Sequence, residues 1–156
     1  MLVLKYLPEG IILASPSGPP DYEAIFALRW EILRKPWGLA RGSEQDPNEY
    51  QATHRMVFSE GKLPAIQACG RIQQVSESQA QVRYMAVARE MQGKGRGSIV
   101  LESLEEAAAD AGLKEIFLNA REAAVGFYLR AGYEMSCETE PFLGIRHFRM
   151  KKLLSQ

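Results

Sequence analysis

The stretch between Ala80 and Ala120 restricts the fold more than any other part of the chain. Two extended apolar segments, "AQVRYMAVA" (Ala80–Ala88) and "KEIFLNA" (Lys114–Ala120), flank an amphipathic helix predicted over Ser98–Ala111. The helix carries an apolar stripe made of Leu101, Leu104, Ala108 and Ala111. Strand, helix and strand in this order predict two parallel strands joined by a right-handed crossover.

The first of these strands has apolar residues on both faces, which predicts a central place in the sheet. We expect one face to carry Val82, Tyr84 and Ala86, and the other to carry Met85 and Val87. Its preceding partners are predicted over Thr53–Ser59 and Pro64–Gln73, with turns at "EGKL" and "VSES".

The remaining elements follow from helical spacing, alternation and turn residues. They are a strand over Gly10–Ala14, a helix over Asp21–Arg34 capped by Asp21 and stopped by Pro36, a long polar loop over Lys35–Ala52, a short helix in "REAAVGFYLRAGY", and a closing hairpin of "YEMSCETEP" and "IRHFRMKKL". Together these elements predict a mixed α+β fold, mainly antiparallel with one central parallel pair, in a single domain of residues 1–156.

The loop before the crossover helix, "QGKGRGS" (Gln92–Ser98), is rich in glycine. Ser98 is the expected helix cap. Glycine near a helix start costs chain entropy, so three glycines there indicate that a ligand must approach the backbone closely. Free N–H groups at a helix start favour an anion, and Lys94 and Arg96 add positive charge. The loop lacks the GxxxxGK[ST] of a P-loop and the GxGxxG of a dinucleotide site, but it matches Q/R-x-x-G-x-G/A fully.

This loop resembles the pyrophosphate loop of the GNAT superfamily of acyl-CoA-dependent N-acyltransferases. The flanking segments "MAVARE", "IFLNA" and "AVGFYLRAGYE" are similar to the family's strands and to its F-Y-x-x-x-G-[FY] helix. The resemblance is strong over Gln81–Tyr133 and extends over Thr53–Lys152. The ending "GIRHFRMKK" is similar to that of one small bacterial branch of the GNAT superfamily. Residues 1–52 resemble the family only in the order of their predicted strand, helix and loop.

The resemblance implies helices on both faces of the sheet and an acyl-CoA molecule in a cleft between the two splayed parallel strands. Pantetheine would pair with the backbone near Met85 and Val87, and Asn119 would hydrogen-bond it. Tyr128 would donate its hydroxyl proton to the leaving thiolate. The implied cofactor-binding residues are Met85, Ala86, Val87, Gln92, Gly93, Lys94, Gly95, Arg96, Gly97, Ser98, Asn119 and Tyr128.

The predicted activity is acetyl transfer from acetyl-CoA to a primary amine, namely a small molecule, a peptide N-terminus or a lysine, by direct attack in a ternary complex. The first helix, the Lys35–Ala52 loop and the last hairpin would form the acceptor groove. No general base stands out, and His147, Glu44 and His54 are candidate acceptor-binding residues. A non-catalytic acyl-CoA sensor or interaction module and a nucleotide-phosphate-binding protein are the alternatives.

Composition argues against several other classes of function. The 19 acidic and 19 basic residues balance, so no overall field favours nucleic acid or a membrane surface. Cys69 and Cys137 form no CxxC pair, which argues against a zinc site or a disulfide framework and suits a cytoplasmic protein. We predict no metal and no membrane segment. A homodimer is left open, and Arg29 and Arg34 are expected at the surface or in ion pairs.

Overall fold

A computed structural model of the protein describes residues 1–61 and 66–155. The strands are β1 (Leu2–Tyr6), β2 (Ile11–Ser15), β3 (Thr53–Ser59), β4 (Ala68–Gln74), β5 (Gln79–Val87), β6 (Glu115–Arg121), β7 (Glu134–Phe142) and β8 (Ile145–Leu153). The helices are α1 (Pro19–Leu33), α2 (Arg96–Asp110) and α3 (Val125–Arg130). In the described part of the chain, the strands form one sheet in the order β1-β2-β3-β4-β5-β6-β8-β7, and the predicted α+β class is confirmed.

β5 and β6 are the parallel pair that the sequence predicts. Their pairing runs only from Gln79 opposite Glu115 to Gln81 opposite Phe117. Beyond these residues β5 keeps its antiparallel partner β4 and β6 keeps β8, but the two strands no longer pair with each other. The sheet therefore opens at its centre along the C-terminal halves of both strands.

A β-bulge at Tyr84 alters the predicted faces of β5. Tyr84 has φ +56°, and the register with β4 shifts between Arg83 and Ala86. A bulge inserts one extra residue, so the side chains after it exchange faces. Val82 consequently shares a core with Met85, whereas Ala86 lies in the core on the opposite face. The expected grouping of Val82 with Ala86 is wrong for this reason.

The two faces of the sheet carry separate cores. α2 covers one face with Val100, Leu101 and Leu104, which are buried against β3, β4 and β5. α1 covers the other face with Ile25 and Phe26. This arrangement confirms helices on both faces. In residues 1–61 and 66–155, no helix is long and apolar enough to cross a membrane.

Several element ends differ from the predicted ones. Gly95, in the left-handed region, is the N-cap of α2, so Ser98 lies inside the first turn and does not cap it. Gly18 is the N-cap of α1, and Asp21 instead accepts a hydrogen bond of 3.0 Å from the backbone N–H of Ser17. β1 was not predicted. β4 begins at Ala68, and the predicted strand and turn residues at positions 62–65 lie outside the described residues.

Part of the polar loop after α1 is held against the sheet by buried charges. Glu49 Oε2 accepts a hydrogen bond of 2.8 Å from Arg29, and its Oε1 lies 2.8 Å from Arg71 Nη1. Arg71 also binds Asp46 through two hydrogen bonds, of 2.9 and 2.7 Å. We call these four residues and His54 the buried ion cluster. The cluster joins the loop to α1, β3 and β4, so it positions the segment that follows Arg34.

Candidate active site

The opening between β5 and β6 contains a cavity of about 420 Å³. Its walls come from the end of α1, the middle of β5, the end of β6, α3 and the β7–β8 hairpin. The lining residues are Leu33, Arg34, Gln81, Val82, Arg83, Tyr84, Met85, Leu118, Asn119, Ala120, Arg121, Ala124, Tyr128, Thr139, Glu140, Phe142 and His147. The structure therefore brings together four of the residues that the sequence singled out, which are Met85, Asn119, Tyr128 and His147.

Tyr128 lies on the cavity wall with only 7% of its surface exposed. Its ring packs edge-on against Phe127 and Tyr133, with centroid distances of 5.0 and 5.7 Å. Burial raises the pKa of its hydroxyl well above the usual value near 10. The hydroxyl is therefore protonated at neutral pH and can act as a proton donor in the cavity.

His147 presents one ring nitrogen as a proton acceptor. Its Nδ1 lies 2.9 Å from the backbone oxygen of Ile145. A carbonyl oxygen only accepts, so Nδ1 must carry the hydrogen. Nε2 of the neutral ring then keeps its lone pair, and the side chain lines the cavity.

The glycine loop lies beyond the cavity, between the end of β5 and the start of α2. Gly93 and Gly95 have φ of +78° and +80°, a conformation that few other residues adopt without strain. A Cβ on Gly97 would lie 3.2 Å from Val87 Cγ2, so glycine allows α2 to approach β5 closely. The backbone from Gln92 to Gly95 is exposed, and α2 begins directly after it.

Two side chains of the loop are already bonded to the protein. Gln92 donates its amide hydrogen to the Val87 oxygen at 3.1 Å. Arg96 Nε donates to the side-chain oxygen of Gln67 at 3.0 Å, and its Nη1 donates to the Lys94 oxygen at 2.9 Å. These bonds tie the loop to the end of β5 and to Gln67, which lies just before β4. The backbone N–H groups that follow Gln92 are the expected ligand-binding atoms.

His54 and Glu44 lie apart from the cavity. His54 is 2% exposed, accepts a hydrogen bond from Arg29 at Nδ1, and donates from Nε2 to the Glu49 oxygen at 2.6 Å. Burial lowers the pKa of His54 to about 4. Glu44 is 1% exposed, and its oxygens accept from Gly42 and Gln45. Both side chains are hydrogen-bonded within the buried part of the protein around the polar loop, and neither lines the cavity. We therefore do not include them in the proposed acceptor site.

The structure adds three arginines that the sequence did not single out for the site. Arg34, Arg83 and Arg121 line the cavity together. Arg34 was expected at the surface or in an ion pair, but it is only partly exposed and forms no ion pair in the described part of the chain. Arg29 is fully buried and forms an ion pair with Glu49, so the expectation of an ion pair is confirmed and that of a surface position is not. The sequence does contain a signal for Arg121. This residue is the last of β6, and ligands commonly bind at the C-terminal ends of parallel strands.

Comparison with known proteins identifies the chain. The family model for the acetyltransferase (GNAT) domain matches residues 46–154. A curated protein of Bacillus subtilis strain 168, the uncharacterized N-acetyltransferase YjcF, is 33% identical over 129 residues, which are 81% of this chain and 89% of YjcF. The protein is an acyl-CoA-dependent acetyltransferase. The chain belongs to the GNAT family.

Solved structures confirm the fold at low sequence identity. A GNAT-family acetyltransferase from Staphylococcus aureus Mu50 has a TM-score of 0.77 and 12% identity, covering 93% of this chain and 99% of that one. The ribosomal-protein-S18-alanine N-acetyltransferase from Escherichia coli has a TM-score of 0.72 and 18% identity, covering 94% and 95%. The GNAT family uses acetyl-CoA as cosubstrate. In the described part of the chain, no cluster of acidic, histidine or cysteine side chains is arranged to hold a metal ion.

Proposed function

We propose that the protein transfers an acetyl group from acetyl-CoA to a primary amine by direct attack in a ternary complex. The observation that carries this proposal is the cavity between β5 and β6. A buried proton donor, Tyr128, and a proton acceptor, His147, line the same space. Amide formation from a thioester needs both groups, because the amine loses a proton and the thiolate gains one.

The protein has three features that fit acetyl-CoA. The backbone of β5 beyond Gln81 has no partner in β6, so a linear molecule with amide groups can hydrogen-bond along Met85–Val87. The loop Gln92–Ser98 is exposed from Gln92 to Gly95, and the backbone N–H groups at the start of α2 would bind the diphosphate. Asn119 lines the cavity on the opposite strand, and its side chain would hydrogen-bond the pantetheine arm.

The chemistry then follows from the positions of two side chains. The amine nitrogen forms a bond to the acetyl carbon, and a backbone N–H such as that of Val87 stabilises the oxyanion that results. His147 Nε2 takes the proton that the amine loses. The carbon–sulfur bond breaks, and Tyr128 donates its proton to the thiolate, leaving an N-acetyl product and free CoA. Proton exchange with solvent then restores the Tyr128 hydroxyl and removes the extra proton from His147.

The proposed function is tested by titrating the protein with acetyl-CoA, CoA and ADP in a calorimeter, followed by thiol release in the presence of primary amines. We expect acetyl-CoA and CoA to bind much more tightly than ADP, because the pantetheine arm contacts β5. Equal affinity for ADP would instead indicate a nucleotide-phosphate-binding protein. Binding of acetyl-CoA with no amine-dependent thiol release across a broad panel would indicate a non-catalytic acyl-CoA sensor.

Replacing Tyr128 with Phe is expected to slow turnover and to leave the affinity for acetyl-CoA unchanged. The ring is retained, and only the proton donor to the thiolate is lost. The expected decrease in kcat is about 10²–10⁴-fold, the usual contribution of a general acid. Tyr133→Phe is the control, because Tyr133 is buried, binds Glu105 and does not line the cavity. An undiminished kcat in Tyr128→Phe would assign Tyr128 to packing alone.

Replacing His147 with Gln is expected to lower kcat/KM at neutral pH and to change the pH profile. Glutamine keeps polar contacts in the cavity but cannot take a proton from the amine. The expected loss is about 10²–10⁴-fold near pH 7, and it should shrink at high pH, where more of the acceptor is already neutral. A loss that is the same at every pH would show that His147 only positions the acceptor.

A further inference from the structure

We propose that the acceptor is an amine that also carries a carboxylate, and that Arg34 and Arg121 bind this carboxylate inside the cavity. This inference rests on the proposed function and names the class of its acceptor. Both arginines line the cavity together with Tyr128 and His147, so an anion bound between them lies in the same cavity as the proposed reacting groups.

The two guanidinium groups converge on one atom. Arg34 Nη1 donates to the Leu33 oxygen at 2.9 Å, and Arg121 Nη2 donates to the same oxygen at 3.0 Å. Leu33 is the last residue of α1, and Arg121 ends β6. The helix end and the strand end therefore hold two positive charges side by side at the wall of the cavity.

Neither charge has a carboxylate partner in the described residues. Burial, and then repulsion from Arg34, lower the pKa of Arg121. Burial also lowers the pKa of Arg34, and the opposing effects of Tyr84 and then Glu44 do not cancel it. Glu44 forms no ion pair in the described residues, and its carboxylate accepts hydrogen bonds from Gly42 and Gln45 instead.

The remaining contacts of the pair compensate only part of this charge. Arg34 Nε donates to the backbone oxygen of Ser43 at 3.0 Å, and the guanidinium of Arg34 lies over the ring of Tyr84 at 5.9 Å. Arg121 lies over the ring of Trp37 at 4.3 Å, and Arg34 lies over the ring of Phe142 at 5.3 Å. The C-terminal end of a helix contributes about half a negative charge against these two positive ones. An acceptor carboxylate would supply the missing charge and would match the planar geometry of a guanidinium.

The other charged residues that line the cavity do not neutralise the positive charge of Arg34 and Arg121. Arg83 also lines the cavity, but Asp46 lies 3.9 Å from it. Glu140 is the acidic residue in the lining, and it is exposed. The glycine loop proposed for the diphosphate contributes no residue to the lining, so the arginine pair is not needed for the cofactor phosphates.

The test compares matched amines that differ in one carboxylate, with acetyl-CoA saturating. Phenylalanine is paired with phenethylamine, lysine with cadaverine, and glutamate with its α-amide, isoglutamine. We expect kcat/KM, expressed per neutral amine, to be higher for at least one carboxylated member. Arg34→Gln and Arg121→Gln should each reduce that preference about ten- to hundredfold, the effect of losing one hydrogen bond to a charged group.

The control variant is Arg146→Gln, which removes an exposed arginine that does not line the cavity. Calorimetry should give the same acetyl-CoA affinity for all three variants and the wild type. Benzoate is also titrated into the CoA-loaded protein, and it should bind the wild type at least tenfold more tightly than Arg121→Gln.

The outcomes separate this inference from the proposed function. If the wild type shows no binding of acetyl-CoA, the result contradicts the proposed function itself. Normal acetyl-CoA binding with no preference for carboxylated amines, or with a preference that neither variant reduces, would overturn the carboxylate site alone. If no amine in the panel is accepted, the benzoate titration decides, and equal or absent binding in the wild type and Arg121→Gln overturns the inference.

Discussion

Gly95→Val is expected to abolish useful binding of acetyl-CoA. Gly95 is the N-cap of α2 and has φ +80°, where a β-branched residue is strained. The chain must leave this conformation to relieve the strain, and the N–H groups of the loop then no longer converge on the diphosphate. We expect calorimetry to show affinity reduced about a hundredfold or more, equivalent to two hydrogen bonds to a charged group at about 1.5 kcal/mol each.

Gly112→Val provides a closely matched control for this substitution. Gly112 also has φ +80° with open space around its Cβ position, but it follows the other end of α2. Both variants should lose about 1–2 kcal/mol of stability from the left-handed backbone, and only Gly95→Val should lose acetyl-CoA. Equal affinities in the two variants would show that the loop does not bind the diphosphate.

Glu49→Gln is expected to produce the largest loss of stability among conservative changes in the polar loop. The side chain of Glu49 is 3% exposed and lies between Arg29 and Arg71, whose side chains are fully buried. Glutamine has nearly the same shape but no charge, so both guanidinium groups lose a buried partner. Removing one partner of a buried ion pair costs about 3–5 kcal/mol, which urea unfolding would show as a lower midpoint.

Glu31→Gln is the control for this change, because it removes an exposed carboxylate that lies 3.3 Å from Lys35, in the turn that follows α1. Its expected effect is below about 1 kcal/mol. If the two variants unfold at similar urea concentrations, then Asp46 alone compensates Arg71, and Glu49 contributes little to holding the loop.

The parts of the fold that depend on local chain properties could be predicted from the sequence. The parallel pair follows from the order of two apolar strands around an amphipathic helix. The loop was recognisable because Gly93 and Gly95 stand where the backbone needs positive φ. The hairpin β7–β8 was also predicted, and its turn falls within "FLGI". Each of these features is encoded within about 40 consecutive residues.

The features that were missed depend on contacts between distant residues or on a local irregularity. The prediction of the two faces of β5 assumes that successive side chains alternate without interruption, so it could not reveal the extra residue at Tyr84. β1 carries its apolar residues on an exposed edge, where burial gives no strong pattern, although Leu2 and Leu4 alternate. Arg34 and Arg121 meet only because α1 ends beside β6, and a single sequence contains no signal for that encounter.

The gap between β5 and β6 has a consequence for solubility. A strand with unpaired backbone groups normally templates the addition of a strand from another molecule, which is a route to aggregation. Here the unpaired edge of β5 lies inside the sheet, where β6, α3 and the β7–β8 hairpin border the same cavity. A polypeptide strand carries side chains on both faces, whereas a thin unbranched molecule can enter the gap. The walls therefore protect the protein from self-association at the edge that we propose for its ligand.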